Sequence, residues 1–448
     1  MRLFSTAFLA ALFITTSASA QPSGLAAKAE EFLKAHQDVN QFSGTVLAAR
    51  NGQVVLRKGV GMANREWSIA NTPETKMRLG SITKQFTAAC ILILEQQKKL
   101  SVEDTIDKHL PDAPEAWKKV TIHHLLSHTG GVPSYTNDPA YGKNKFRPMP
   151  LPDLVALFRG KPLEFEPGSQ WKYSNSGYAL LGDIIQRASG VSYEAFLRKH
   201  ILDPLGMKNS GYDHWHDILP NRAAGYSKRG DEIRNSDYLD MSQPHAAGAL
   251  YSTVDDLYLW DRALYTDKVL PQAVRERMFT PVKSNYAYGW TVGMAGGRKM
   301  VGHGGGIDGF STMIMRMPED QGAVIVLSNL QQADAQQVAM GLAAMLYDAP
   351  YQTPKVRKEI TLNPEIYDKY AGVYELAPNF RLTVKREGSR LMTQATGQPA
   401  IEVFPESETK FFLKVVDAQL TFVPGADGKA SQVILHQGGR DMPAKRVE

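Results

Sequence analysis

The sequence predicts an α/β fold of the segregated (α+β) kind: an antiparallel sheet flanked by helices, a helical region inserted between its strands, and a small all-β barrel following it. Three observations carry this prediction. Strand-like runs stand at both ends of residues 42–347, and helical patterns crowd the middle. Hairpins and long helical excursions join the strands, rather than regular βαβ units, which favours antiparallel pairing. Beyond Pro354 the pattern changes to short strand-like runs divided by turn signals.

The elements can be taken in order. Arg2, a mostly apolar stretch over residues 3–15 and Ala18-Ser19-Ala20 before Gln21 read as a signal peptide of residues 1–20, cleaved after Ala20. The stretch is too short for a stable membrane span. The mature chain is therefore expected to be exported, as a periplasmic or secreted protein. Residues 24–36 form an amphipathic helical pattern. Residues 42–49 and 54–60 are strand-like and joined through Asn51-Gly52, a hairpin signal. A helix is expected to open at Ser81. Shorter helical patterns follow at 154–158, 178–188, 193–200 and 253–265. Strand patterns return at 288–294, 299–301, 310–315 and 323–328, and a helix over 333–347 closes the unit. The expected organisation is a domain over 21–350, a linker over 351–365 and a barrel over 366–448. The barrel's strand-like runs are 372–374, 381–384, 401–404, 410–416, 419–423 and 432–436.

Composition excludes some classes. The chain has 448 residues, 43% hydrophobic and 22% charged, an ordinary globular balance that permits a sizeable core. The net charge of +5 comes without a dense Lys/Arg cluster, so nucleic acid is not an expected partner. Cys90 is the only cysteine, which rules out an internal disulfide; on an apolar helix face it reads as a buried structural thiol. The sequence leaves the oligomeric state open.

The chemistry starts at Ser81-Ile82-Thr83-Lys84. Residues three apart on a helix share a face, so this hydroxyl and this amine can touch. A serine at a helix start also stands where backbone N–H groups are free. S-x-x-K recurs at Ser169 and Ser407, but Ser169 follows the turn signal Pro167-Gly168, and Ser407 lies between strand-like runs. Two further motifs strengthen Ser81. Tyr173-Ser174-Asn175 precedes a helix and offers a phenol and an amide at i and i+2. Val301-Gly302-His303-Gly304-Gly305-Gly306 ends a strand pattern, with glycines that permit close backbone approach. Their plain alternatives are an Asn175 helix cap and a flexible hairpin loop.

In this order the three motifs resemble those of the serine β-lactamase and penicillin-binding-protein superfamily: S-x-x-K, then Y-x-N, then a variant of K-T-G. The Tyr and His forms resemble the class C β-lactamase branch, which includes D,D-peptidases, D-aminopeptidases and esterases. The stretch Val120 to Gly131, with His128-Thr129-Gly130-Gly131, is similar to a sequence between the first two motifs in that family. The C-terminal region is similar to lipocalin-like barrels appended to some members. The resemblance implies a β-lactamase/transpeptidase-like fold, no cofactor and no metal. It also implies acyl transfer, with Ser81 as nucleophile and Lys84 and Tyr173 as its activating pair. The Lys84 ammonium would favour a Tyr173 phenolate. The backbone N–H groups of Ser81 and Gly306 would form the oxyanion hole, and Asn175, His303, Gly304 and Gly305 would bind substrate. The substrate would be a D-amino-acid peptide or small ester, peptidoglycan fragments included.

One departure matters. The K-T-G positions hold His303, Gly304 and Gly305, so the threonine hydroxyl is missing and the histidine is only partly charged near neutral pH. That weighs against an efficient class C-like β-lactamase. A β-lactam sensor or cell-wall-binding protein without turnover is the non-enzymatic alternative. His303-Gly304-Gly305-Gly306 also matches an α/β-hydrolase oxyanion loop, but no G-x-S-x-G elbow is present. His123, His124 and His128 lack the Glu of H-E-x-x-H and read as packed or capping residues.

Overall fold

A computed structural model describes residues 24–448 except 40, 231, 296, 356, 417, 438 and 439. The signal-peptide reading lies outside the described residues. Six strands form the main sheet in the order Thr291–Ala295, Arg298–Ile307, Phe310–Met317, Gly322–Ser328, Gly44–Arg50, Gln53–Val60. Every pairing is antiparallel. As the sequence suggested, the sheet unites N- and C-terminal strands, with Gly44 opposite Ser328 and Ala49 opposite Ala323.

The two central strands, Gly44–Arg50 and Gly322–Ser328, are mostly apolar and buried because both faces are covered. Val46, Ala48, Val324 and Val326 pack with Phe32, Leu33, Val338 and Leu342 of the helices Gly24–Asp38 and Ala335–Leu346. The alternate residues Leu47, Ala49, Ile325 and Leu327 pack with Phe86 and Trp260 of the helices Thr83–Gln96 and Val254–Ala263. This period-two division is what a doubly covered strand requires.

The Ser81 helix differs from the expected amphipathic element. It runs Thr83–Gln96, and Thr83 to Leu94 are all buried. The sheet covers one side, and the helices Asn175–Ser189 and His245–Gly248 cover the other. Its polar residues find partners inside. Thr87 Oγ1 donates to the Ala246 carbonyl at 2.7 Å, and Trp260 Nε1 donates to Gln85 Oε1 at 3.2 Å.

After the main sheet come eight antiparallel strands in sequential order, Gly372–Ala377 through Arg440–Arg446. The barrel closes through Tyr374 opposite Arg446 and Glu375 opposite Lys445. Two strands escaped the sequence pattern, Arg390–Ala395 and Arg440–Arg446. The second carries Pro443, which cannot donate to a ladder and argues against a strand. Aromatic side chains fill the interior: Tyr370 stacks on Phe422 at 4.5 Å, and Phe411 and Tyr374 meet the same ring at 5.5 and 6.0 Å. Among the described residues no helix is long and apolar enough to cross a membrane.

One buried ion pair ties a helix to the sheet beneath the Ser81 helix. Arg316 Nε donates to Asp261 Oδ1 at 2.6 Å, and the two residues are 1% and 0% exposed. Arg262 reaches the other carboxylate oxygen at 2.9 Å. Asp261→Ala leaves the Arg316 guanidinium buried without its counter-charge. The expected loss is about 3–5 kcal/mol of unfolding free energy, measured by urea denaturation; a loss below about 1 kcal/mol would contradict the pairing's importance.

Candidate active site

Ser81 lies in a tight turn, Gly80–Ile82, that leads into the helix Thr83–Gln96. The helix expected to open at Ser81 thus begins two residues later, and no side-chain capping bond forms at the turn or at the helix start. Gly80 adopts φ +54°, and a Cβ on it would stand 3.0 Å from the Gly306 backbone nitrogen and oxygen. A Cβ on Gly305 would stand 1.9 Å from the Leu79 carbonyl oxygen. Thr312 Oγ1, from the neighbouring strand, donates to that same carbonyl at 2.8 Å. The glycine motif is therefore not a loop at a strand end. The strand continues through it to Ile307, and its glycines let the strand lie flush against the Ser81 turn.

Two side chains converge on Ser81. Tyr173 Oη donates to Ser81 Oγ at 2.7 Å, and Lys84 Nζ stands 3.0 Å from the same oxygen. Lys84 Nζ also donates to Asn175 Oδ1 and to the Ala247 carbonyl, each at 2.8 Å. The Tyr173 ring centroid is 4.7 Å from Nζ. Lys84 is completely buried, whereas Ser81 and Tyr173 keep partial exposure.

Local sequence explains this convergence. Ser174, not Asn175, caps the helix Asn175–Ser189, accepting from the Gly177 N–H at 3.3 Å. Tyr173 on one side of the cap and Asn175 on the other both turn toward Lys84. Asn175 does not offer its amide freely to a ligand as expected: Oδ1 takes Lys84, and Nδ2 donates to Thr136 Oγ1 at 3.0 Å.

The electrostatics reverse one expectation. Burial pushes the Lys84 amine well below its ordinary value. Burial also raises the Tyr173 phenol, with the Ser81 hydrogen bond opposing it only in part. Burial thus favours the uncharged forms of both groups, an amine and a phenol, over the expected ammonium–phenolate pair. His303 is corrected in the same sense. Burial is the chief cause that lowers its pKa to about 4, and any charge on Lys84 would lower it further, so the ring is neutral rather than partly charged. Its nitrogens are already used, Nε2 by the Tyr286 hydroxyl at 2.9 Å and Nδ1 by the Gly304 carbonyl at 2.6 Å. Gly304 itself is exposed, with ordinary clearance for a side chain.

The other candidates stand apart. Ser169 Oγ donates to the Glu166 carbonyl, while Lys172 pairs with Glu164. Ser407 Oγ accepts from the Lys410 backbone N–H. His124 completes a capping box with Thr121, and His123 meets the Tyr288 hydroxyl at 2.6 Å. Cys90 is buried, and burial raises its thiol pKa. Thr136, Tyr286 and the Ala247 carbonyl are site neighbours that sequence reasoning missed. Each reaches the cluster from a distant segment without a motif of its own.

The fold and this Ser–Lys–Tyr cluster define a serine hydrolase of the β-lactamase/transpeptidase type. Residues 29–347 match the family model described as Beta-lactamase. The chain belongs to that family. Residues 356–446 match a model described as a domain of unknown function, DUF3471. Penicillin-binding protein 4* of Bacillus subtilis (strain 168) is 33% identical over 438 residues, covering 91% of this chain and 96% of that protein. The solved structure of an octameric penicillin-binding protein homologue from Pyrococcus abyssi is 27% identical with a TM-score of 0.68, covering 94% of this chain and 99% of that one. A D-stereospecific amidohydrolase from Streptomyces sp. is 25% identical with a TM-score of 0.62, covering 72% and 99%.

The glycine contacts make an asymmetric prediction. Gly305→Ala forces a Cβ into the Leu79 carbonyl and must part the strand from the Ser81 turn, whereas a Cβ on Gly306 meets nothing within 4 Å. Labelling of Ser81 by a fluorophosphonate should slow by about tenfold or more in Gly305→Ala and remain close to the unmodified rate in Gly306→Ala. Equal rates in the two variants would contradict the flush packing.

Proposed function

We propose that this chain is an exported serine hydrolase that forms an acyl-enzyme on Ser81, with D-amino-acid peptides or amides, or small esters, as substrates. The observation that carries this reading is the convergence of Tyr173 Oη at 2.7 Å and Lys84 Nζ at 3.0 Å on one partly exposed hydroxyl.

The roles follow from donors and acceptors. A neutral amine has two N–H bonds and one lone pair. The Asn175 and Ala247 oxygens can only accept, so they take both N–H bonds and leave the lone pair for Ser81. Lys84 is then the base that receives the hydroxyl proton as Oγ attacks the carbonyl. Tyr173, kept as a phenol, donates to Oγ and is placed to protonate the leaving group. The Lys84 ammonium returns a proton to it. Water enters by the reverse sequence and releases the acid. Ser81 stands in the first turn, where backbone N–H groups lack intrahelical acceptors. The Gly306 N–H on the facing strand is the proposed second donor to the oxyanion.

Substrate class is argued from His303. A neutral ring with both nitrogens engaged brings no charge-assisted hydrogen bond to a free carboxylate. Esters, amides and amino-terminal D-residues are favoured over substrates that need that carboxylate held. The similarity to a D-stereospecific amidohydrolase supports the D-configuration, and the sequence of residues 1–20 supports export.

Fluorophosphonate labelling followed by peptide mapping tests the nucleophile. Ser81 should carry the label, and Ser81→Ala should lose turnover of p-nitrophenyl esters and D-aminoacyl anilides; label on another serine, or activity surviving the substitution, would sink the assignment. The base has its own test. With the Lys84 pKa lowered and that of Tyr173 raised, the acid limb of kcat/KM should lie well below lysine's ordinary value and the alkaline limb above tyrosine's. An acid limb centred near lysine's ordinary value of ~10.4 would refute a neutral Lys84. Lys84→Arg puts a permanent charge where the base must be neutral and cannot deprotonate, and kcat should fall by about 10²–10⁴-fold.

A further inference from the structure

The stretch Ser127-His128-Thr129-Gly130-Gly131 lies outside the reacting groups, yet it runs directly beneath the segment that delivers Tyr173. The Gly168 N–H donates to the Thr129 carbonyl at 2.8 Å, and the Glu164 N–H donates to the Gly131 carbonyl at 2.8 Å. His128 does more than continue this ladder. Its carbonyl accepts from the Lys172 N–H at 3.0 Å, and its ring Nδ1 accepts from the Ser174 N–H at 3.2 Å. The residues on both sides of Tyr173 are therefore bonded to the same histidine.

The ring also supports the phenol from below. Its centroid is 4.3 Å from that of Tyr173, and 4.6 and 5.1 Å from those of Tyr286 and Tyr178. His128 is 2% exposed and adopts φ +60°, a left-handed conformation that directs its carbonyl and its ring toward the same segment. Accepting from Ser174 requires Nδ1 to be unprotonated, so the proton resides on Nε2. Nε2 has no hydrogen-bond partner and lies among aromatic rings. A buried unpaired N–H costs free energy, so packing alone would be better served by an apolar ring. The Nδ1 acceptor is the feature that packing does not explain.

We infer that His128 is the positioning residue for Tyr173: through its carbonyl to Lys172 and its Nδ1 to Ser174 it fixes the backbone on either side of the phenol and holds Tyr173 Oη on Ser81 Oγ. This inference rests on the proposed Ser81–Tyr173 chemistry. It extends through Tyr286, whose ring packs on His128 and whose hydroxyl donates to His303 on the glycine strand. The second and third motifs thus share one buried support.

The test uses two amides in the full chain. His128→Asn places an oxygen where Nδ1 stands, and Asn tolerates φ > 0. His128→Gln places its oxygen near the Nε2 position and leaves Ser174 unpaired. For a p-nitrophenyl ester, His128→Asn should keep kcat within about threefold of the unmodified protein. His128→Gln should lose about tenfold or more in kcat with little change in KM. Should His128→Gln fail to fold, judged by its thermal transition, His128→Phe carries the same comparison, since it keeps a ring and lacks the acceptor. Equal kcat in the Asn variant and the acceptor-lacking variant, with native thermal transitions, would overturn the role. Fluorophosphonate mapping of the unmodified protein separates the two failures. Absence of label on Ser81 refutes the parent reading, while label on Ser81 with equal variants refutes only the positioning by His128.

Discussion

A primary amine buried among Ser81 Oγ, Asn175 Oδ1 and the Ala247 carbonyl is the constraint to which the surrounding structure answers. An ammonium without water around it is costly, so the site favours the neutral form only if nothing lets solvent reach Nζ. That requirement reaches far beyond the side chain. The helix carrying Lys84 must be enclosed on every side, which is why Thr83 to Leu94 are buried and why the sheet and two further helices close around them. The covering on the sheet side is anchored in turn by the Arg316–Asp261 pair. A solvent-exposed amphipathic helix could have presented the same serine and lysine, but with a lysine near its ordinary pKa.

Close approach of backbone is the second demand. The oxygen of Leu79 occupies the space where a side chain on residue 305 of an ordinary strand would stand, and the Gly306 backbone lies close to where a Cβ on Gly80 would be. Gly305 and Gly80 have none, and Thr312 turns its hydroxyl onto Leu79. The two halves of the cleft are thereby set by main-chain contact rather than by long side chains. Such contact is rigid, which suits a site whose reacting groups must stay within hydrogen-bond reach of one another.

Much of this was legible in the sequence, and the limits have physical reasons. The antiparallel sheet could be read because its strands are short apolar runs bounded by turns, and the S-x-x-K spacing could be read because helical geometry fixes i, i+3 neighbours. The helix was expected to open at Ser81 itself, two residues before the α-helix begins, since a 3₁₀ turn and a helix start share the same residue preferences. The glycine motif was read as the end of a strand because strand propensity penalises glycine, whereas here tertiary packing requires it. Pro443 concealed a barrel strand for the same kind of reason. Lys84's burial was invisible, because it depends on Ala247 and on helices that approach from far along the chain. The donor–acceptor logic of Asn175 and His303 was hidden likewise, since their partners Thr136 and Tyr286 carry no local signature.

The neutrality of the cleft connects these features to the chemistry proposed for it. Burial pushes Lys84, Tyr173 and His303 each toward its uncharged form. In the proposed acylation two charges then develop together, the Lys84 ammonium and the oxyanion, and the oxyanion faces backbone N–H groups that are already fixed in place. In a low-dielectric site such fixed dipoles act more strongly than in water and need no reorganisation. A substrate that brings its own carboxylate would lose its hydration there without gaining a cationic partner. The same burial that underlies the proposed role of Lys84 as base would therefore also bias the site toward the proposed uncharged esters and amides, so that reactivity and selectivity would have one physical origin.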